Sequence, residues 1–238
     1  MEFIKINNQP IEYQFIVNKR ARTLSYIVKD GRVKVTAPPE VTPQQAQDFL
    51  IEKEQELVEI IDKIRAQDKS PYLYVDGEKF LYRGRHYTLQ IMEESEKCTR
   101  VQISGGHLFV YLPPGLDESE KKLAVRSLID DFFQQNALRI LEELAEHYSQ
   151  RMNIPYKPIK IKNQRTRWGS CSSKGSINLN WRIIMAPNQA IAYVVIHELA
   201  HLKYADHSRE FWNLVGEQMP DYKRWKKWLA DNSESLTL

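Results

Sequence analysis

The run Val195-Ile196-His197-Glu198-Leu199-Ala200-His201-Leu202, with His207 shortly after it, constrains this chain more than any other stretch. Read as a helix, it sets His197 and His201 one turn apart on one face, because residues four apart are neighbours. Two imidazoles held that way can share one divalent ion, most often zinc. Glu198 then points to the side of the ion, where it can take a proton from a water bound there. Ala190 to Ile196 is almost wholly apolar, so the helix is expected to be buried on most sides, with Pro187-Asn188 as its N-cap. A His-Glu pair at the end of such a helix needs a reason, since burying unpaired polar groups is costly. Three of the six histidines fall in this short stretch. The plainer alternative is a core helix that happens to carry two histidines.

Catalytic zinc takes three protein ligands and keeps its fourth position open. His207 is the expected third ligand, in Tyr204-Ala205-Asp206-His207-Ser208, which reads as a turn between helices. The spacing is that of the long metzincin motif, but Tyr204 stands where that motif has glycine, so the turn must differ. Glu210 and Glu217 on the next helix are the rivals. One Zn2+ per chain is expected. Cys171 is set aside as a ligand because better ones are present.

Among 238 residues, 42% are hydrophobic and 27% charged, with a net charge of +3. That suits one or two globular domains and implies no special partner. The N-terminus lacks the basic start and apolar run of a signal peptide, and no apolar run approaches membrane-spanning length. Cys98 and Cys171 form no paired motif, so a reduced, cytoplasmic setting is expected.

The fold class read from the pattern is α+β: an N-terminal mixed β-sheet region with helices over 1–116, then a C-terminal domain carrying the metal helix over 117–238. Residues 2–7 and 11–18 alternate as a hairpin around Asn7-Asn8-Gln9-Pro10. Leu24 to Val28 and Val33 to Thr36 flank Asp30-Gly31, a strong turn signal. Pro38-Pro39 follows, then a helix with a Thr42 to Gln45 capping box, running to about Ala66 with Leu50, Leu57, Ile61 and Ile64 on one face. Strands are expected again at 79–82, 87–92, 100–103 and 108–112, followed by Pro113-Pro114 and a capped helix start at Asp117. The order strand, glycine turn, strand, Pro-Pro, capped helix thus occurs twice, about 75 residues apart. Internal duplication and the habit of ending strands with prolines both account for it. Residues 117–150 read as one long helix or two in tandem. Trp225, Trp228 and Leu229 on the last helix have core spacing.

Residues 147–197 contain no Asp or Glu but carry Arg151, Lys157, Lys160, Lys162, Arg165, Arg167, Lys174 and Arg182. Ser176 to Arg182 alternates as a strand feeding the metal helix. A strand here can pair with an extended peptide, the basic groups can grip phosphates of a nucleotide or nucleic acid, or they simply decorate a solvated strand. Trp168, Asn180 and Arg182 are the substrate-binding candidates, and Asn180 or Arg182 could steady an oxyanion.

Arg167-Trp168-Gly169-Ser170-Cys171, Leu179-Asn180-Trp181-Arg182, and Tyr193-Val194-Val195 leading into His197-Glu198-Leu199-Ala200-His201 form one series. With His207-Ser208 and Phe211-Trp212, it resembles the YgjP-type zinc metallopeptidase family, which is related to SprT-like and WLM peptidases. The likeness is close from about Ile159 to Leu229 and looser upstream, through Tyr74-Val75-Asp76-Gly77-Glu78 and Tyr82-Arg83-Gly84. It implies a zincin-like C-terminal domain, His197, His201 and His207 as zinc ligands, and Glu198 as general base. Relatives include DNA-associated peptidases, and some YgjP-type members are described as nucleotide pyrophosphatases.

The reading that follows is a metal-dependent hydrolase acting on a peptide or protein. A second reading keeps the metal and makes the substrate a nucleoside triphosphate. A third is a nucleic-acid-associated module with a closed, structural metal site.

Overall fold

Alternating apolar residues build β1 (Glu2–Ile6), β2 (Gln9–Val17), β3 (Ser25–Lys29) and β4 (Arg32–Ala37) into one sheet of order β1-β2-β4-β3. The β2/β4 pair is parallel and the other two pairs are antiparallel. Ile4, Tyr13, Val33 and Val35 pack with Ala46, Leu50 and Leu57 from the helices that follow. Thr42 caps α1 (Pro43–Glu52) through the expected capping box with Gln45. The helix breaks at Lys53, whose φ of −94° and ψ of 16° leave the helical region, and resumes as α2 (Glu54–Gln67). A single helix was expected there.

The computed structural model describes residues 2–6, 9–29, 32–67, 71–94, 99–163, 167–172, 175–236 and 238. The turns at Asn7-Asn8 and Asp30-Gly31, the side chains of Ile61 and Ile64, and Cys98, Arg165 and Lys174 lie outside the described residues. The chain divides into two compact units, Met1–Ser70 and Pro71–Leu238.

The second unit begins with β5 (Lys79–Tyr82), β6 (Arg85–Glu93), β7 (Arg100–Ser104) and β8 (His107–Leu112), in the order β5-β6-β8-β7. Here too the middle pair, β6/β8, is parallel and the flanking pairs antiparallel. Ala37 ends β4 and Leu112 ends β8, 75 residues on; Thr42 and Asp117 cap the next helices at the same offset. The two segments therefore share one ββββα plan, in strand order as well as in pairing sense.

Asp117 and Glu120 form the capping box of α3 (Glu118–Met152), one continuous helix of 35 residues. A boundary at 116/117 was expected, whereas the compact units part at 70/71. The reason is burial: Phe80, Leu89 and Val110 share one core with Val125 and Phe133 of α3, because a sheet with one apolar face needs a helix to cover it.

A three-stranded sheet follows, order β10-β11-β9, from β9 (Lys160–Lys162), β10 (Gly169–Cys171) and β11 (Ile177–Asn180). The strand expected to reach Arg182 stops at Asn180, whose side chain accepts the Arg182 N–H at 3.1 Å. That bond caps a 3-10 turn, Trp181–Met185. Then come α4 (Asn188–Ala200), α5 (Arg209–Gln218) and α6 (Tyr222–Asn232). Among the described residues, no helix is long and apolar enough to cross a membrane.

The tight β5–β6 turn braces the entry to α4. Arg83 and Gly84 donate their N–H groups to the Ile184 and Met185 carbonyls, both at 2.8 Å. Asn188 is the first helical residue rather than a cap, and no side chain caps the Pro187 position. The Asn188 side chain instead accepts from Arg83 Nε at 2.7 Å. Gly84 has φ +74°, and a Cβ there would lie 2.9 Å from Pro187 Cγ and 3.0 Å from its Cα. Gly106 also has positive φ, +82°, but nothing stands within 4 Å of its added Cβ. Gly106→Ala is therefore expected to lose about 1 kcal/mol. Gly84→Ala is expected to lose roughly 2 kcal/mol or more, because the clash adds to the strain. Urea unfolding of both variants checks this; equal losses would show that the turn does not press on Pro187.

Candidate metal centre

Residues Ala190 to Ile196 of α4 are all buried, as are Glu198, Leu199 and Ala200. The helix is wrapped by α3, β10, α5 and α6, and the apolar run read in the sequence accounts for that burial. His197 and His201 leave its last turn on one face. The chain then turns through Tyr204, whose carbonyl meets His201 Nδ1 at 3.1 Å. With the Nδ1 proton directed at that carbonyl, the His201 Nε2 lone pair faces inward. Tyr204 needs no positive φ, unlike Tyr74, Arg83 and Asn153, so a side chain is tolerated where the metzincin turn has glycine. Ser208 caps α5 by accepting the Phe211 N–H, and this cap fixes His207 immediately before it.

His201 Nε2 and His207 Nε2 each lie 3.2 Å from His197 Nε2. Ligand atoms of all three lie within 4.8 Å of one another. Tetrahedral zinc with bonds of about 2.0–2.1 Å sets its nitrogens about 3.3 Å apart, so the donor set fits such an ion. Among the described residues, these three form the only group of metal-capable side chains so gathered; Glu210, Glu217 and Cys171 stand outside it. Phe211 and Trp212 pack on the rings, with Trp212 stacked on His207 at 5.5 Å between centroids.

Burial holds His197 far below the usual imidazole range, at about 3, with His201, His207 and Lys226 pushing the same way. His207 is lowered too, by desolvation first and then by His201 and Lys226. Both shifts favour the neutral imidazole, which is the form that ligates metal. Glu198 is pushed the other way, up to about 7, by burial, against a smaller opposing pull from Arg167.

A cavity of about 340 Å³ opens beside Glu198 and His197, with Trp168, Gly169, Tyr193 and Lys226 among its walls. Burial raises the Tyr193 phenol to about 12, with Tyr222 and Glu198 adding to it. Of the three substrate-binding candidates, Trp168 lines this cavity and the other two are engaged elsewhere. Asn180 is buried, capping the 3-10 turn and donating to the Arg167 carbonyl. Arg182 bonds Asn163 and the Leu238 carbonyl, so its guanidinium fastens the C-terminus instead of facing an oxyanion. Among the described residues of the basic stretch, Lys160 and Lys162 are on β9, the far edge strand from β10, and Arg167 figures in the Glu198 shift.

Sequence reasoning missed Gly169. Its φ lies outside the positive region, so its backbone does not call for glycine. A Cβ there would fall 2.5 Å from Glu198 Oε1 and 2.6 Å from its Cδ. The missing side chain is the space that the Glu198 carboxylate occupies. No signal in the sequence alone links the two positions.

A family model described as YgjP-like, metallopeptidase domain, matches residues 22–232. Among solved structures, the crystal structure of the metallopeptidase zymogen of Pyrococcus abyssi abylysin is similar, at 28% identity and a TM-score of 0.35. That match covers 38% of this chain and 93% of the other. No curated protein matches the chain.

The opposed shifts have a consequence for the metal-free protein. Glu198 titrates higher folded, at about 7, than its ordinary 4.5, so its contribution to stability is full below about pH 4.5 and is lost as pH rises through 7. His197 titrates lower folded, at about 3, than its ordinary 6.5, so its contribution is full above 6.5 and is lost as pH falls toward 3. Glu198→Gln removes the first effect alone. With chelator present, that variant should be more stable than the parent at pH 8, by on the order of 1–3 kcal/mol, and the gain should vanish below about pH 4.5. Denaturant melts at the two pH values measure it; a gain independent of pH would sink the burial account.

Proposed function

We propose, on the premise that this chain belongs to the YgjP-like metallopeptidase family, that it is a zinc peptidase with Glu198 as general base. The observation that carries this reading is the gathering of three imidazole Nε2 atoms one residue away from a buried carboxylate with a raised pKa. His197, His201 and His207 would hold the ion. Bound zinc supplies a Lewis acid for the scissile carbonyl and lowers the pKa of a coordinated water toward about 7.

The chain's own groups do the rest. Glu198 takes the proton of the attacking water and returns it to the leaving amine, a role suited to a pKa near neutrality. Gly169 leaves room for that carboxylate, and the desolvating walls around it keep its basicity high. β10 is an edge strand, paired with β11 on one side, and Gly169 on it borders the cavity. An extended peptide can add to such an edge through main-chain hydrogen bonds. Trp168 would pack against the substrate beside the scissile bond. By this reading the second unit, residues 71–238, carries the whole catalytic apparatus. Arg182, which could have gripped a phosphate, instead bonds the Leu238 carbonyl.

Glu198→Gln should keep one zinc per chain and lower peptide turnover by at least about a hundredfold. His207→Ala should lose metal as well as activity. Gly169→Ala should retain metal and depress kcat far more than KM, because it displaces the base and leaves the ligands. Metal analysis beside a peptide-library assay reads all three. Full activity in the Glu198 variant would overturn the mechanism.

A further inference from the structure

Helix α6 carries an unpaired cationic face next to the metal centre. Lys223, Lys226, Lys227 and Ala230 follow the i, i+3, i+4, i+7 spacing that places residues on one side of a helix. All four are exposed, while Trp225 and Leu229 are buried on the other side. This face walls two cavities. The first is the 340 Å³ space at Glu198 and His197; the second, of about 440 Å³, is lined by Trp212, Tyr222 and the three lysines. Lys226 and Ala230 border both, so the two spaces adjoin. Among the described residues, no carboxylate lies within ion-pair distance of any of the three ammonium groups. The nearby acid Asp221 accepts from Trp225 Nε1 at 2.9 Å. Glu198 is the one carboxylate on the walls of either cavity.

We propose that this lysine-walled pair of cavities is the subsite for carboxylate-bearing residues of a polypeptide substrate, so that the enzyme prefers acidic segments beside the scissile bond. The inference rests on the peptidase reading of the metal centre. Three uncompensated cations adjoining the reacting groups attract an anionic chain and fix its register. The occupant is a peptide rather than a nucleic acid for a reason of geometry. Base recognition by a basic groove relies on open aromatic faces. The Trp212 ring is stacked on Tyr222 at 5.2 Å and on His207 at 5.5 Å, and Lys226 Nζ stands 4.3 Å over it. Carboxylate side chains need only the ammonium groups, and among the described residues none of these is paired with a carboxylate.

The test uses the full chain loaded with zinc, carrying Glu198→Gln so that peptides bind without turnover. The probes are three fluorescein-labelled decapeptides of one sequence, differing only in four positions that are all Glu, all Gln or all Lys. Exposed ion pairs contribute a factor of a few each, so the Glu peptide should bind roughly tenfold tighter than the Gln peptide at low salt. That preference should shrink near 0.5 M salt, where the screening length is only about 4 Å. It should disappear in Lys223→Ala/Lys227→Ala and reverse in Lys223→Glu/Lys227→Glu, with unchanged thermal melts showing that both variants fold. Equal binding of the Glu and Gln peptides overturns the proposal. So does a single-stranded oligothymidylate that binds more tightly than the Glu peptide and displaces it. Cleavage of the same peptides by the parent enzyme is read separately: if none is cut, the peptidase reading fails, and the binding preference still decides the subsite.

Discussion

Three imidazole nitrogens held about as close as a hydrogen bond, with lone pairs directed at one point, set the terms for the rest of the second unit. Neutral nitrogens so arranged gain nothing from one another, and burial makes a charge placed among them costly. Desolvation first, and then the neighbouring groups, depress the His197 and His207 pKa values. Such a cluster persists only if the backbone over-determines it. Here the helical turn of α4 fixes His197 against His201, the Tyr204 carbonyl fixes the His201 ring, and the Ser208 cap fixes the start of α5 and with it His207. Each device is local and cheap; the rigidity comes from the burial of α4 on nearly every side.

That burial explains why so much chain is devoted to one helix. A helix with apolar residues all round needs partners on all sides. It receives α3, the three-stranded sheet, α5 and α6, while the β5–β6 turn closes against the residues just before it. The sheet β5-β6-β8-β7 therefore belongs physically with the metal centre, although in sequence order it precedes the long helix. The first unit repeats the ββββα plan without any chemistry-bearing cluster among its described residues. One structural plan thus serves two ends within the chain.

What the sequence made legible was whatever depends on short-range periodicity. The metal helix, the capping boxes at Thr42 and Asp117, the eight strands of the two larger sheets and the third histidine all follow from neighbours a few residues apart. What it concealed depends on contacts between distant segments. Asn180 and Arg182 carry side chains suited to an oxyanion, and only the 3-10 turn and the returning C-terminus reveal that both are already committed. The compact units part at 70/71, since coverage of a sheet is a matter of packing rather than spacing. Lys53 breaks a helix whose residues are all helix-compatible, and no local signal announces it. Gly169 looks like a loop glycine until Glu198 is found in the place its side chain would take.

The Glu198 environment carries the deepest tension in the molecule. Burial penalises the carboxylate form, and the opposing pull of Arg167 falls short, leaving its pKa near neutrality. A divalent ion at the adjacent triad would act on this carboxylate with the charge that Arg167 supplies only in part, favouring ionisation at the moment the site is assembled. The glycine at 169 keeps the carboxylate against a strand backbone and out of bulk water, which is what keeps its proton affinity responsive to that charge. A larger residue would admit neither the position nor the response, so the absence of one methyl group on β10 and the presence of three rings on α4 and the turn after it are two halves of one electrostatic design.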